Sequence, residues 1–358
     1  MSSRVRQTFA LGTPWQTIDP FLFVMHHRDA YPNGNADLGP DASLAGRAIG
    51  QDFRGTDGWS MYHGATVPGF PQHPHRGFET ITYVRSGLID HADSLGAAAR
   101  YGRGDSQWLT AGAGIVHAEM FPLLDRERGN PLELFQIWLN LRGEDKMAEP
   151  HFTMLWSEDT PAFVTVDDAG RATEVVVVAG PLDGHRPPSP PPASWAARPE
   201  ADVALWHVTF EAGARWQFPA AADARTQRVL YVFEGSSLAI DGQTVEAGHG
   251  ALVDASAPLD LAGGPDGVQV LVLQGRPIGE PVAQYGPFVM NDEAGIRQAF
   301  DDYRRTGFGG WPWHRDDPVH DADAPRFARR ADGTVDTREA GGVEPAAGSP
   351  VDTAASPV

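Results

Sequence analysis

Cysteine is absent from the 358-residue chain. That excludes a disulfide framework, a thiolate-ligated zinc or iron–sulfur site, and a thiol nucleophile. Long apolar runs are absent as well. No stretch approaches the roughly 20 hydrophobic residues that a membrane-spanning helix requires. The opening Met1-Ser2-Ser3-Arg4-Val5-Arg6 leads into neither an apolar segment nor a small-residue cleavage site. These features predict a cytoplasmic protein without a membrane partner. Positive charge is in deficit: 28 Lys+Arg stand against 47 Asp+Glu, a formal net charge of −19, and lysine occurs once, at Lys146. A polyanion would be repelled by that balance, so direct nucleic-acid binding is not expected.

Helical periodicity is also scarce. The chain has 40 Gly and 30 Pro, and most of it reads as short apolar or alternating runs broken by Gly, Pro and Asp, the pattern of an all-β protein. Strands are expected at 79–85, 106–110, 134–141, 174–179, 203–211, 228–234, 237–240 and 268–274. Seven prolines from Pro181 to Pro199 read as an extended connector, which places a domain boundary near 170–185. One helix is expected late in the chain. Asn291 would cap it, Ile296, Ala299, Phe300 and Tyr303 would form its apolar stripe, and Gly307 would end it. Beyond about Pro325 large apolar residues nearly vanish, which predicts a disordered tail. The run Thr82-Tyr83-Val84-Arg85-Ser86-Gly87 is echoed by Leu230-Tyr231-Val232-Phe233-Glu234-Gly235, so a duplicated β unit is expected.

The segment from Gly69 to Glu79 contains His73 and His75. Two residues apart on an extended strand, both imidazoles project from one face. That is half of a first-row metal site, although two polar residues on a solvated face give the same pattern. A second segment, after the small and flexible Ala111–Gly114 run, ends in His117-Ala118-Glu119 and repeats the spacing. Three imidazoles and one carboxylate suit iron or manganese and leave two octahedral positions for water, dioxygen or a chelating substrate.

These motifs carry a resemblance. His73-Pro74-His75-Arg76-Gly77-Phe78-Glu79-Thr80, Gly104-Asp105-Ser106-Gln107-Trp108, Gly114-Ile115-Val116-His117-Ala118-Glu119-Met120, Gln136-Ile137-Trp138-Leu139-Asn140-Leu141 and Gly286-Pro287-Phe288-Val289-Met290-Asn291 occur in the order seen in the pirin family of the cupin superfamily. The resemblance runs from about Asp19 to Gly309. It implies two cupin-type β-barrels (double-stranded β-helices) with a C-terminal helix and a disordered tail. The metal-binding domain would cover 1–175, a cupin-like domain without metal 176–310, and the tail 311–358. By motif, the ligands would be His73, His75, His117 and Glu119. The metal would be Fe(II), with Mn, Ni, Co, Cu or Zn as substitutes.

Glu79 stands at the general cupin glutamate position but, since the resemblance takes the carboxylate ligand from the second motif, it is expected to support the ligands or to be structural rather than to ligate. Arg76, next to the site, would set its charge, hydrogen-bond a ligand carboxylate or lie on the surface. Residues 30–68 exceed the family pattern and leave the site entrance open. Within them His63 would be a polar loop residue or reach the rim. In the second half Ala221, Asp223 and Gln227 fall opposite His73, His75 and Glu79, so that barrel should be metal-free, with His207 and His249 as ordinary polar residues.

The function implied is an Fe(II)-dependent dioxygenase of the quercetin 2,3-dioxygenase type (EC 1.13.11.24), using O₂ and a small aromatic, flavonol-like substrate with Glu119 as base. The alternative is a redox- or metal-dependent regulatory protein acting through protein partners. Family resemblance also implies a monomer.

Overall fold

The computed structural model describes residues 4–338, in which strands carry nearly all the regular structure. The first ten are β1 (Val5–Ala10), β2 (Phe21–Tyr31), β3 (Gly69–His75), β4 (Phe78–Ser86), β5 (Leu88–Asp93), β6 (Ala98–Gly102), β7 (Ser106–Thr110), β8 (Ile115–Met120), β9 (Asn130–Asn140) and β10 (His151–Leu155). Ten more follow before the helix region: β11 (Ala162–Val166), β12 (Ala172–Ala179), β13 (Ala204–Phe210), β14 (Arg215–Phe218), β15 (Gln227–Gly235), β16 (Ser237–Ile240), β17 (Gln243–Glu246), β18 (His249–Val253), β19 (Leu259–Gly263) and β20 (Val268–Gly275). The hairpin β21 (Ala283–Tyr285) and β22 (Phe288–Met290) leads into helix α1 (Glu293–Thr306), and β23 (Arg326–Arg329) with β24 (Val335–Arg338) closes the described chain.

Four larger sheets make two barrels. In the first, β10-β7-β4-β9-β2 faces β24-β23-β6-β5-β8-β3; in the second, β1-β18-β15-β20-β13-β12-β11 faces β14-β19-β16-β17. Strand β4 shows how sequence becomes position. Thr80 and Thr82 point into the first barrel, while Ile81 and Tyr83 point outward into a core shared with the second. Buried on both faces, the segment reads as a continuous β-branched and aromatic run rather than an alternating one. Val229, Tyr231, Leu271 and Leu273 of β15 and β20 meet it from the other side, so two sheets bury their outer faces against one another. The second barrel fills its own interior with Trp206, Trp216, Phe218, Val232 and Leu261.

Each strand expected from sequence is present, but the domain limits move. A boundary at 175/176 would cut β12, which pairs on either side with β11 and β13; the passage between barrels instead lies between β10 and β11. The proline-rich 181–199 stretch is therefore not the connector. It folds over the seam, burying Trp195 in the shared core and sending Ser194 to Glu79.

The expected tail needs a similar correction. Within 311–358, residues 326–338 form the β23–β24 hairpin, which adds to β6 of the first barrel, and Arg326 pairs there with the buried Asp105. Backbone pairing and a buried ion pair do what the missing apolar residues could not. Residues 339–358 lie outside the described part.

Helix α1 ends at a left-handed Gly307, as expected, but its cap is Asp292, whose side chain accepts from the Gly295 amide. Asn291 instead donates to Glu280. Among the described residues no helix is long and apolar enough to cross a membrane.

Candidate metal centre

Strands β3 and β8 pair antiparallel, with His73 opposite His117. The two-residue spacing on β3 turns His73 and His75 to the same side, and the register brings in the third imidazole. One ring nitrogen from each of His73, His75 and His117 lies within 4.8 Å of the others. Their rings stand 4.4–5.0 Å apart.

Hydrogen bonds set which nitrogens face inward. His73 Nδ1 lies 2.8 Å from the Pro71 carbonyl, and His75 Nδ1 lies 3.4 Å from the Pro287 carbonyl. A carbonyl only accepts, so each Nδ1 carries the proton and each Nε2 lone pair is left for a ligand. His117 is fully buried and neither of its ring nitrogens has a hydrogen-bond partner. Burial holds His73 down to about 4 and keeps His75 and His117 well below the ordinary histidine range. Three neutral imidazoles with converging lone pairs, one of them otherwise unsatisfied in a buried wall, fit a first-row metal ion.

Glu119 stands beside this group rather than within it, with Oε2 3.8 Å from His117 Nε2. Thr82 donates its single hydroxyl proton to Gln136 Oε1 at 2.5 Å and lies 3.0 Å from Glu119 Oε1, while Gln136 Nε2 donates to Glu119 Oε2 at 3.1 Å. Burial raises its carboxyl above the usual range, partly opposed by His91. The sequence reading missed His91. It sits opposite Glu119 in the β5–β8 register, 5.6 Å from the His117 ring, and shares Nε2 with Asp93 Oδ2 at 3.2 Å. The available signal was His91-Ala92-Asp93, a third ligand-type pair at strand spacing.

Glu79 faces away from the imidazoles. It is completely buried at the seam, accepting from Thr110 Oγ1 at 2.6 Å and Ser194 Oγ at 2.5 Å. Arg76 neither touches a ligand carboxylate nor lies on the surface. Its guanidinium pairs with Asp302 of α1 at 2.9 Å, donates to the Ala113 carbonyl and covers the Phe308 ring. The backbone of Arg76 bonds Pro287 and Val289, which places the downstream 286–291 motif directly behind the first histidine pair.

His73 and His75 open onto a cavity of about 520 Å³. Phe23, Trp138, Phe70 and Phe121 give it aromatic walls, and Phe53, Tyr62 and His63 from the 30–68 segment complete the side away from β9. That segment, unexplained by sequence, is thus part of the binding wall. His63 does reach the rim, where Nδ1 bonds the Gly50 carbonyl and the ring packs edge-on against Phe53 and Phe70. In the second barrel His207 bridges Tyr83 and Gln269 at the seam, and no comparable cluster forms among the described residues.

Family comparison matches this architecture. The Pirin model covers residues 2–139, from β1 through most of β9, and the Pirin C-terminal cupin domain model covers 205–309, from β13 through α1. The chain belongs to the pirin family. A Pseudomonas aeruginosa protein whose name assigns it provisionally as a quercetin 2,3-dioxygenase is 35% identical to this pirin over 305 residues, covering 85% of the pirin and 91% of that protein. A pirin-like protein of Caulobacter vibrioides is 34% identical over 310 residues, covering 85% and 93%. Among solved structures, quercetin 2,3-dioxygenase from Acinetobacter baumannii superposes with a TM-score of 0.65 at 23% identity, covering 86% of the pirin and 96% of its own chain. That likeness supports the two-barrel fold.

Proposed function

We propose that this pirin is a mononuclear metal-dependent dioxygenase of the quercetin 2,3-dioxygenase type, with Fe(II) held by His73, His75, His117 and Glu119. The observation that carries the reading is a cluster of three neutral imidazoles, two of them, His73 and His75, oriented by carbonyls and lining an aromatic-walled cavity large enough for a two- or three-ring molecule, with His117 buried behind them. The name borne by the Pseudomonas relative points the same way. When bound, the metal supplies Lewis-acid and one-electron chemistry toward the chelating oxygens of a substrate.

The protein's own groups do the rest. Phe23, Trp138 and Phe70 grip flat rings and keep water from the reacting atoms. Glu119, with its basicity raised by burial, takes the proton of the flavonol 3-hydroxyl, and the Gln136 amide, itself held by the Thr82 hydroxyl, keeps the carboxylate in place while it does so. O₂ then adds to the deprotonated flavonol, the heterocycle opens with both oxygen atoms ending in the ester-acid product, carbon 3 leaves as carbon monoxide, and Glu119 gives its proton back.

The test is anaerobic loading with Fe(II), then addition of quercetin and O₂ while flavonol absorbance and carbon monoxide are followed. Turnover is expected, together with loss of bound metal in His75→Ala. Glu119→Gln keeps the three imidazoles and should still bind metal, more weakly than wild type, and at saturating metal should lose about 10²–10⁴-fold in kcat, the usual range for removing a general base. Absence of turnover with Fe, Mn, Co, Ni and Cu would sink the proposal in favour of metal-dependent regulation through protein partners.

A further inference from the structure

Beyond the imidazole triad, the cavity has a second polar pole that the chemistry above does not use. Strand alternation puts Phe23, Met25, His27 and Asp29 of β2 along one wall. Tyr62, from the 30–68 segment, reaches across to the last two. Its Oη lies 2.8 Å from Asp29 Oδ2 and 3.0 Å from His27 Nδ1, while Asp29 Oδ1 accepts the Ser60 amide at 2.9 Å. The Phe70 ring separates this pole from the triad, 5.9 Å from the His27 ring and 6.3 Å from that of His73.

Proton counting decides what the pole offers a ligand. Asp29 is buried and pushed up to about 6, still below neutral, so at pH 7 it mainly accepts. The single proton of the Tyr62 hydroxyl therefore goes to Asp29, and its oxygen must accept from His27. His27 then carries its proton on Nδ1. Burial lowers the pKa of the ring to about 3 and holds it neutral, so Nε2 keeps a bare lone pair.

We propose that His27 Nε2, fixed as an acceptor by Tyr62 and Asp29, is a specificity subsite for a phenolic hydroxyl on the ring of the substrate distal to its chelating edge. The proposal rests on the flavonol reading and narrows it: the preferred substrates carry a hydroxyl on the far ring, one or two ring-widths from the oxygens that approach the triad. His27 is half-buried on the cavity wall, so a bound ring without that hydroxyl covers Nε2 and leaves it unpaired, and polar groups left unpaired discriminate more sharply than added apolar contact.

Binding without turnover tests this. The Fe(II)-loaded protein, held anaerobic, is titrated with 3-hydroxyflavone and with its 4′-hydroxy analogue, following quenching of tryptophan fluorescence, to which Trp138 in the cavity wall contributes. Wild type should bind the hydroxylated flavone about 3–10-fold more tightly, the range expected for one hydrogen bond. His27→Phe should abolish that ratio. Tyr62→Phe, which keeps the ring and serves if the first variant fails to fold, should reduce it by freeing the tautomer. Equal affinities in wild type, or a ratio that survives in His27→Phe, overturn the subsite and leave the dioxygenase reading standing. Failure of both flavones to bind removes the flavonol reading and the subsite with it.

Discussion

Glu79 shows how a residue at a family's ligand position can serve the fold instead. Its carboxyl is pushed up to about 7 by burial, against the donors Ser194 and Thr110, and it ties the 181–199 segment to β4. The folded value lies above the ordinary 4.5, so between about pH 4.5 and 7 the native state keeps a proton that the unfolded chain has released. Its contribution to stability is complete below pH 4.5 and is lost as pH rises through 7. Denaturant titrations of wild type should show that decline. Glu79→Gln keeps the shape and one acceptor, and should flatten the profile across the same window. An unchanged slope in the variant would assign the pH dependence elsewhere. His73 and His75 were legible from spacing alone, because two residues on a strand share a face whatever the rest of the fold does. His27 and Tyr62 were not, since nothing local joins residue 27 to residue 62.

Among the elements, the β3–β4 turn is where the histidine pair is held from behind. Gly77 has φ +84°, and a Cβ there would stand 1.9 Å from the Val289 carbonyl oxygen. The same hairpin supplies the Pro287 carbonyl that fixes His75. Gly77→Ala should therefore cost about 1–3 kcal/mol in stability, the usual range for forced overpacking, and should weaken metal binding as well. Melting temperature and metal titration read the two effects separately; a variant that binds metal like wild type would uncouple the hairpin from the site. Helix α1 belongs to the same assembly. Its Asp302 pairs with Arg76, and Ile296 and Ala299 pack with Phe288 and Val116. The helix itself was readable from its stripe and its Gly307 stop, but its destination on the first barrel was not.

On the scale of the whole molecule, the two barrels exchange chain ends. Strand β1 pairs with β18 of the second barrel, and β23 pairs with β6 of the first. The late hairpin is tied in by buried charge: Arg326 meets Asp105 at 2.6 Å, and Arg100, itself paired to Asp90, donates to the carbonyls of His320, Asp321 and Ala324. Truncation after residue 325 would leave Asp105 buried without its partner, a change that typically costs about 3–5 kcal/mol. A clear fall in melting temperature is expected, and an unshifted melt would show that the hairpin is dispensable. The short echo between β4 and β15 falls on strands in comparable places: β4 pairs with β7 and β9, and β15 with β18 and β20. Yet the interior of the second barrel is filled by Trp206, Trp216 and Phe218, whereas the first barrel keeps a cavity.

By itself the sequence determined the all-β character and eight of the strands, the late helix, the histidine pair, the His-x-Glu repeat and the lack of matching ligand residues in the second half. These are local properties: side-chain alternation, turn chemistry and ligand spacing act over a few residues and need no knowledge of the remainder. Tertiary structure alone decided that Pro287 orients His75 across 212 residues, that the proline-rich stretch covers a seam, that a tail poor in apolar residues is held by ion pairs, and that the 30–68 segment walls the cavity. Each of these depends on chain closure between distant segments, where burial and hydrogen-bond satisfaction act on the whole packed molecule and leave no periodic trace in the chain.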